Sequence, residues 1–231
     1  MSPISPYSPQ NHGTPHILED YMPVPAPTRS SPPTSCATCH ASSAPNLCSS
    51  CRNTRYCSVA CQKSDWTSSH KFVCKLYTAS LAQRPHPHAR RALFCPVSGT
   101  KPSFIYLPPP YPSPSSSSAD SEENPLTPFF PNTPSIDLST LSFHNRQLPY
   151  FIQIIYDANP HSTRALHVNK TLGPPLRGAI VVRAFDPEVG LSGMPWDVCV
   201  RGWGVLGEYV KLRREYVGVV FVEVSEREVS G

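Results

Sequence analysis

Nowhere does this 231-residue chain string together the about 18 apolar residues that a membrane-spanning helix needs. The N-terminus, Met1-Ser-Pro-Ile-Ser-Pro, lacks the basic and apolar stretches of a secretory signal. These two absences predict an intracellular, reducing compartment, nucleus or cytoplasm, and no membrane partner. Acidic residues are scarce where basic ones gather. Residues 50–101 hold nine Lys and Arg (Arg52, Arg55, Lys63, Lys71, Lys75, Arg84, Arg90, Arg91 and Lys101) against one acid, Asp65. The cluster predicts a basic solvated face rather than a nucleic-acid site, because the cysteines among it bring negative charge of their own once they bind metal.

Cysteine is what the chain has in concentration. Seven of its nine cysteines fall within residues 36–74. An odd number packed so closely, in a reducing compartment, argues against a disulfide framework and for metal. The spacing is Cys36-x2-Cys39, Cys48-x2-Cys51, Cys57-x3-Cys61 and His70-x3-Cys74. A C-x2-C turn brings two thiolates onto one ion with little chain to order. The Cys57/Cys61 and His70/Cys74 pairs, four apart, share a helix face. Eight ligands complete two tetrahedral shells, one of four cysteines and one of three cysteines and a histidine. Two Zn2+ ions are therefore expected, structural because no position is left open for water. Against seven thiolates they leave about −3 on the metal core. Spacing alone leaves sequential and interleaved pairings equally open.

The string from Cys51 to Cys74 resembles the MYND zinc finger. Tyr56 before the fifth ligand, Gln62 after the sixth, Asp65-Trp66, and His70-Lys71 before the last cysteine all match that family's pattern. A RING finger would end in a second C-x2-C, a fungal binuclear cluster needs six cysteines and no histidine, and a single C2HC finger would strand four cysteines. The resemblance implies interleaved pairing: Cys36, Cys39, Cys57 and Cys61 on the first zinc, and Cys48, Cys51, His70 and Cys74 on the second. It also implies a protein-interaction adaptor that binds a partner's proline-rich, Pro-x-Leu-x-Pro-like motif through Ser49, Gln62 and Trp66. Short helices are predicted at 58–66, capped by Ser58, and at 69–76, with Tyr56 in the core.

Proline divides the remainder. Of 29 prolines, nine lie in residues 1–35, one in 36–76 and fourteen in 85–149. Dense proline removes backbone donors and disfavours packed elements. The expected organisation is a disordered tail (1–35), the finger (36–74), a disordered Pro/Ser-rich linker (75–147) and a small α+β or β-sheet domain (148–228). The tail and linker carry eight Ser-Pro or Thr-Pro steps, and Pro108-Pro-Pro-Tyr111 resembles a WW-domain ligand. In the last segment Phe151–Tyr156 and Ala179–Phe185 read as strands, Val198–Val200 with Trp203 and Val205 as a third, and Val217–Val224 as a fourth. Gly202 reads as a bulge, and Leu206, Tyr209, Leu212 and Tyr216 fall at helical spacing.

No motif frames His161, His167 or Cys199 as catalytic, and Cys95 reads as an idle thiol, so no enzyme is expected. The SET-type methyltransferases that carry such fingers have motifs this chain lacks. A purely structural finger serving the C-terminal domain and a DNA-binding regulator are the alternatives to the adaptor.

Overall fold

A computed structural model describes residues 35–39, 41–108, 125–130, 135–143, 146–156, 166–174, 176–186, 189, 191 and 193–215. The tail before residue 35, the Pro108–Tyr111 motif beyond Pro108, His161 and the expected strand 217–224 lie outside these residues.

The finger begins with two short antiparallel strands, β1 (Asn46–Leu47) and β2 (Arg55–Tyr56). Helix α1 (Val59–Ser68) follows, then a 3-10 turn (His70–Phe72) and helix α2 (Cys74–Leu81). Ser58 caps α1, its Oγ accepting the Cys61 N–H at 3.2 Å. Helix α1 contains no buried residue. Apolar burial therefore does not hold it; its anchors are Cys61, one turn after Cys57 at the entry to the helix, and Asp65, which accepts from Tyr56 and Ser69.

Beyond α2 come β3 (Arg90–Cys95), β4 (Ser103–Leu107), β5 (Ser135–Phe143), β6 (Arg146–Tyr156), β7 (Ile180–Phe185), β8 (Pro195–Trp196) and α3 (Arg201–Glu215). The strands form one antiparallel sheet in the order β4-β3-β7-β6-β5, with β8 on β7. The span 75–147 is thus not a simple linker, since β3, β4 and β5 lie within it. The expected strand at 198–200 is replaced by a loop and the start of α3, and Gly202 sits in that helix rather than in a bulge.

Alternation along the strands sorts the side chains onto two faces. Leu93, Phe104, Ile152, Ile154 and Val182 join α3 residues Val205, Leu206 and Tyr209 in one cluster, and that same cluster contains Cys36, Cys48, Cys74, Val73 and Tyr77 of the finger. Finger and sheet therefore share a single core on one face. The opposite face buries Ala92, Ile155 and Val181 beneath Leu126 and Phe130.

A polar clamp locks the junction. Arg91 of β3, only 4 % exposed, stacks its guanidinium 4.3 Å from the Tyr77 ring. It also donates to the Val198 carbonyl (3.0 Å) and the Tyr106 hydroxyl (3.4 Å), and Tyr106 donates to the Ser80 carbonyl of α2 (2.9 Å). Asp197 accepts from the Arg91 backbone N–H at 2.9 Å and is paired with Arg84. Tyr77 meets Phe104 edge-on, ring centres 5.5 Å apart. Arg84 and Arg91, counted from sequence as part of a solvated basic face, are structural cations.

Candidate metal centre

The chain folds the eight predicted ligands into two groups, Cys36/Cys39/Cys57/Cys61 and Cys48/Cys51/His70/Cys74. Within each group the ligand atoms lie within 4.8 Å of one another. This is the interleaved pairing, produced because β2 carries the chain from the second C-x2-C turn back beside the first. Arg52, just after that turn, takes a left-handed backbone with φ 49°.

The spacing fits zinc. With Zn–S about 2.3 Å and Zn–N about 2.0–2.1 Å, a tetrahedron has S···S edges of about 3.8 Å and S···N edges of about 3.6 Å. Here Cys39 and Cys57 Sγ are 3.4 Å apart, Cys57 and Cys61 3.5 Å, Cys48 and Cys74 3.8 Å, and Cys51 Sγ lies 3.6 Å from His70 Nε2. The donor set fits two zinc ions, one held by four cysteines and one by three cysteines and a histidine. Burial opposes ionisation of Cys51, but its hydrogen bond to His70 and the backbone groups of Asn53 and Thr54 lower its pKa to about 6. Cys36 is lowered likewise to about 6, burial being outweighed by backbone groups of Cys39, Cys57 and Thr38. Cys36 and Cys51 are thus biased toward the thiolate that binds metal, whereas Cys57, facing the sulfurs of Cys39 and Cys61, is pushed up to about 12 and burial raises Cys74.

The two sites differ in depth. All four members of the Cys/His group are buried, whereas Cys39 of the other is exposed. Behind His70 lies a network not foreseen from the sequence. Its Nδ1 is 3.4 Å from Asp65 Oδ2 and 3.2 Å from the Tyr56 hydroxyl. Tyr56 donates to Asp65 Oδ2 at 2.6 Å, and Ser69 donates to Oδ1 at 2.7 Å. A carboxylate behind a ligating histidine fixes the ring's orientation and tautomer. Tyr56, expected as plain core, is buried but also serves this network. The signal was present in the sequence as an acid five residues before the histidine.

The three expected peptide-contact residues lie on the finger's surface. Ser49 is exposed in the second C-x2-C turn, Gln62 is half-buried, and Trp66 is 42 % exposed with its ring centre 5.8 Å from that of His70. Elsewhere Cys95 is buried in β3, which pushes its thiol up to about 12. Cys199 bonds the Tyr150 hydroxyl at 3.1 Å, and His167 is exposed. Among the described residues no helix is long and apolar enough to cross a membrane.

No solved structure matches the chain. One relative, ubiquitin carboxyl-terminal hydrolase 19 of Arabidopsis thaliana, is 42 % identical over 65 residues, which is 27 % of this chain and 10 % of that protein. This chain therefore aligns with about a tenth of that relative's length. The family model described as MYND finger matches residues 36–74. Those residues, with their two ligand sets, form a zinc-binding finger of the MYND type, a module of the protein-interaction class.

Proposed function

We propose that this protein is a non-enzymatic adaptor whose finger recruits a partner through a proline-containing peptide of the Pro-x-Leu-x-Pro kind. The observation that carries the reading is the outer face of α1. Gln62 and Trp66 are four residues apart and so lie on one helix face, and the indole remains 42 % exposed although it rests beside the buried His70 ring. A large aromatic held in place from beneath and open above suits stacking on proline rings, and a half-buried Gln62 on the same face supports a hydrogen bond to a peptide carbonyl. An extended proline peptide loses little entropy on binding.

Other observations weigh against the alternatives. Both ligand sets are complete with protein atoms, so the zinc would supply structure and not an activated water. The burial of Arg91 and the pairing of Arg84 remove two cations from any nucleic-acid surface. The shared core supports a second, concurrent role for the finger as a structural clip on the sheet. The seven clustered metal-ligating thiols support the reading of a reducing compartment, nucleus or cytoplasm.

The test is fluorescence anisotropy of a labelled Pro-x-Leu-x-Pro peptide with the zinc-loaded full chain. Saturable binding is expected, weakened at least tenfold in both Gln62→Ala and Trp66→Ala at unchanged zinc content. Absence of saturation up to millimolar protein, or full affinity in both variants, contradicts the reading.

A further inference from the structure

Finger and α3 enclose a cleft of about 320 Å³, on the side of α1 that carries Asp65 and Ser68 and not Gln62 or Trp66. Its α3 wall is unusual in composition. Gly202, Gly204 and Gly207 stand within one helix, where glycine is disfavoured relative to alanine. Gly202 has a packing reason, since a Cβ there would meet Val198 Cγ1 at 2.8 Å. The other two do not. At Gly204 the nearest atom is Ser69 Oγ at 3.9 Å, and at Gly207 nothing lies within 4 Å. Both line the cleft, and their missing side chains are what keep it open.

The cleft also presents unused hydrogen-bonding groups. Thr54 on its finger side is 1 % exposed, and its Oγ1 has no partner. Arg201 on the α3 side donates from Nη2 to the Ser35 carbonyl at 2.7 Å, but its buried Nε–H has none. A buried donor or acceptor left unpaired is destabilising, so a ligand group that pairs it is favoured. At the rim Phe72 and Trp203 meet edge-on with ring centres 6.5 Å apart, Phe72 being half exposed. The charges along the walls balance, Asp65 and Glu208 against Arg201 and Lys211.

From this geometry we infer that the cleft is a second peptide site, taking a short, uncharged, extended segment of a partner protein. A carbonyl of the segment accepts from Arg201 Nε–H, its next polar backbone group bonds the Thr54 hydroxyl, and a small apolar side chain sits over Gly207 against the aromatic pair. A helix, about 10–12 Å across with side chains, is too wide for a space at the lower end of the ~300–1,000 Å³ range of ligand pockets. The balanced walls discriminate against charged segments, which would leave one sign unpaired.

The site is independent of the Gln62–Trp66 face, so the two are separable by experiment. A displayed library of uncharged nonamer peptides is selected on the zinc-loaded full chain. The enriched peptides are synthesised and titrated against Gly207→Leu, Thr54→Val and Trp66→Ala. Gly207→Leu plugs the cleft from a position where a side chain meets open space, and Thr54→Val removes the hydroxyl at equal size. The expected result is a loss of at least tenfold in Gly207→Leu, a smaller loss in Thr54→Val, and unchanged affinity in Trp66→Ala. The proposal is overturned if no peptide is enriched, or if enriched peptides bind Gly207→Leu as they bind the original chain. Peptides lost only in Trp66→Ala overturn it too, while supporting the outer-face adaptor.

Discussion

Replacing Asp65 by Asn keeps the size of the side chain and one acceptor for Tyr56 but removes the charge behind His70. In the native arrangement the Asp65 carboxyl is held below the usual carboxylate range: burial pushes it up, but its contacts with His70, Tyr56 and Ser69 outweigh that. The ionised oxygen 3.4 Å from Nδ1 orients the ring so that Nε2 points toward Cys51, Cys48 and Cys74. Loss of such a partner weakens metal binding by about 10–100-fold. That corresponds to about 1.4–2.7 kcal/mol, all of it at one of the two sites. Cobalt substitution provides the assay, because the Cys/His and all-cysteine sites absorb at different wavelengths and each can be titrated with a competing chelator. The band of the Cys48/Cys51/His70/Cys74 site should weaken by the stated factor, with the Cys36/Cys39/Cys57/Cys61 band unmoved. Equal affinity at the histidine site in Asp65→Asn and the original chain, or an equal loss at both sites, would mean that Asp65 does not set the histidine ligand.

Two further outcomes follow from the junction. Asp197 is held below its normal pKa: burial raises it, but hydrogen bonds from Arg84 and the Arg91 backbone, with the charge of Arg91, prevail. Its contribution to stability is therefore present above the unfolded value of about 3.9 and is lost as pH falls below it. Urea unfolding of Asp197→Asn should show a loss of about 1–3 kcal/mol at neutral pH that shrinks toward pH 3, because Arg91 stays buried without its acid. Gly202→Ala should destabilise by about 1–3 kcal/mol through the 2.8 Å approach to Val198, whereas Gly207→Ala, with nothing near its Cβ, should stabilise α3 by up to about 1 kcal/mol in the same assay.

The metal ligands were legible because each pair is a local spacing. Their pairing was not, since it depends on which way β2 returns the chain, and it came from resemblance. The strands at Phe151–Tyr156 and Ala179–Phe185 were legible from continuous apolar runs, and β7 is indeed buried along nearly its whole length. The stretch 75–147 was misread because proline density is an average. Pro85 and Pro87 precede β3, Pro96 and Pro102 bracket the hairpin loop, and Pro108 follows β4, so these residues delimit strands without interrupting them. Pro149 lies inside β6 beside the register shift between Thr140 and Ser142, where the ladder with β5 is already irregular. Helix α3 was only half seen because its three glycines lower local helix propensity, while Val205, Leu206, Tyr209 and Val210 impose the helix by burial in the shared core. The role of Arg91 was hidden for a related reason: a charge count does not distinguish a strand residue stacked under Tyr77 from one in solvent.

The zinc finger and the sheet share one core and should fold as one unit. Val73, Cys74 and Tyr77 share a core with Leu93, Phe104 and Val182, so zinc that orders the finger should also order the sheet face beneath it. Amide hydrogen exchange of the full chain, with zinc and after chelation under reducing conditions, tests this most directly. Chelation should abolish protection in α1 and α2 and also sharply lower it in β3, β4 and α3. Sheet protection unchanged by zinc removal, with loss confined to residues 36–81, would contradict a single folding unit.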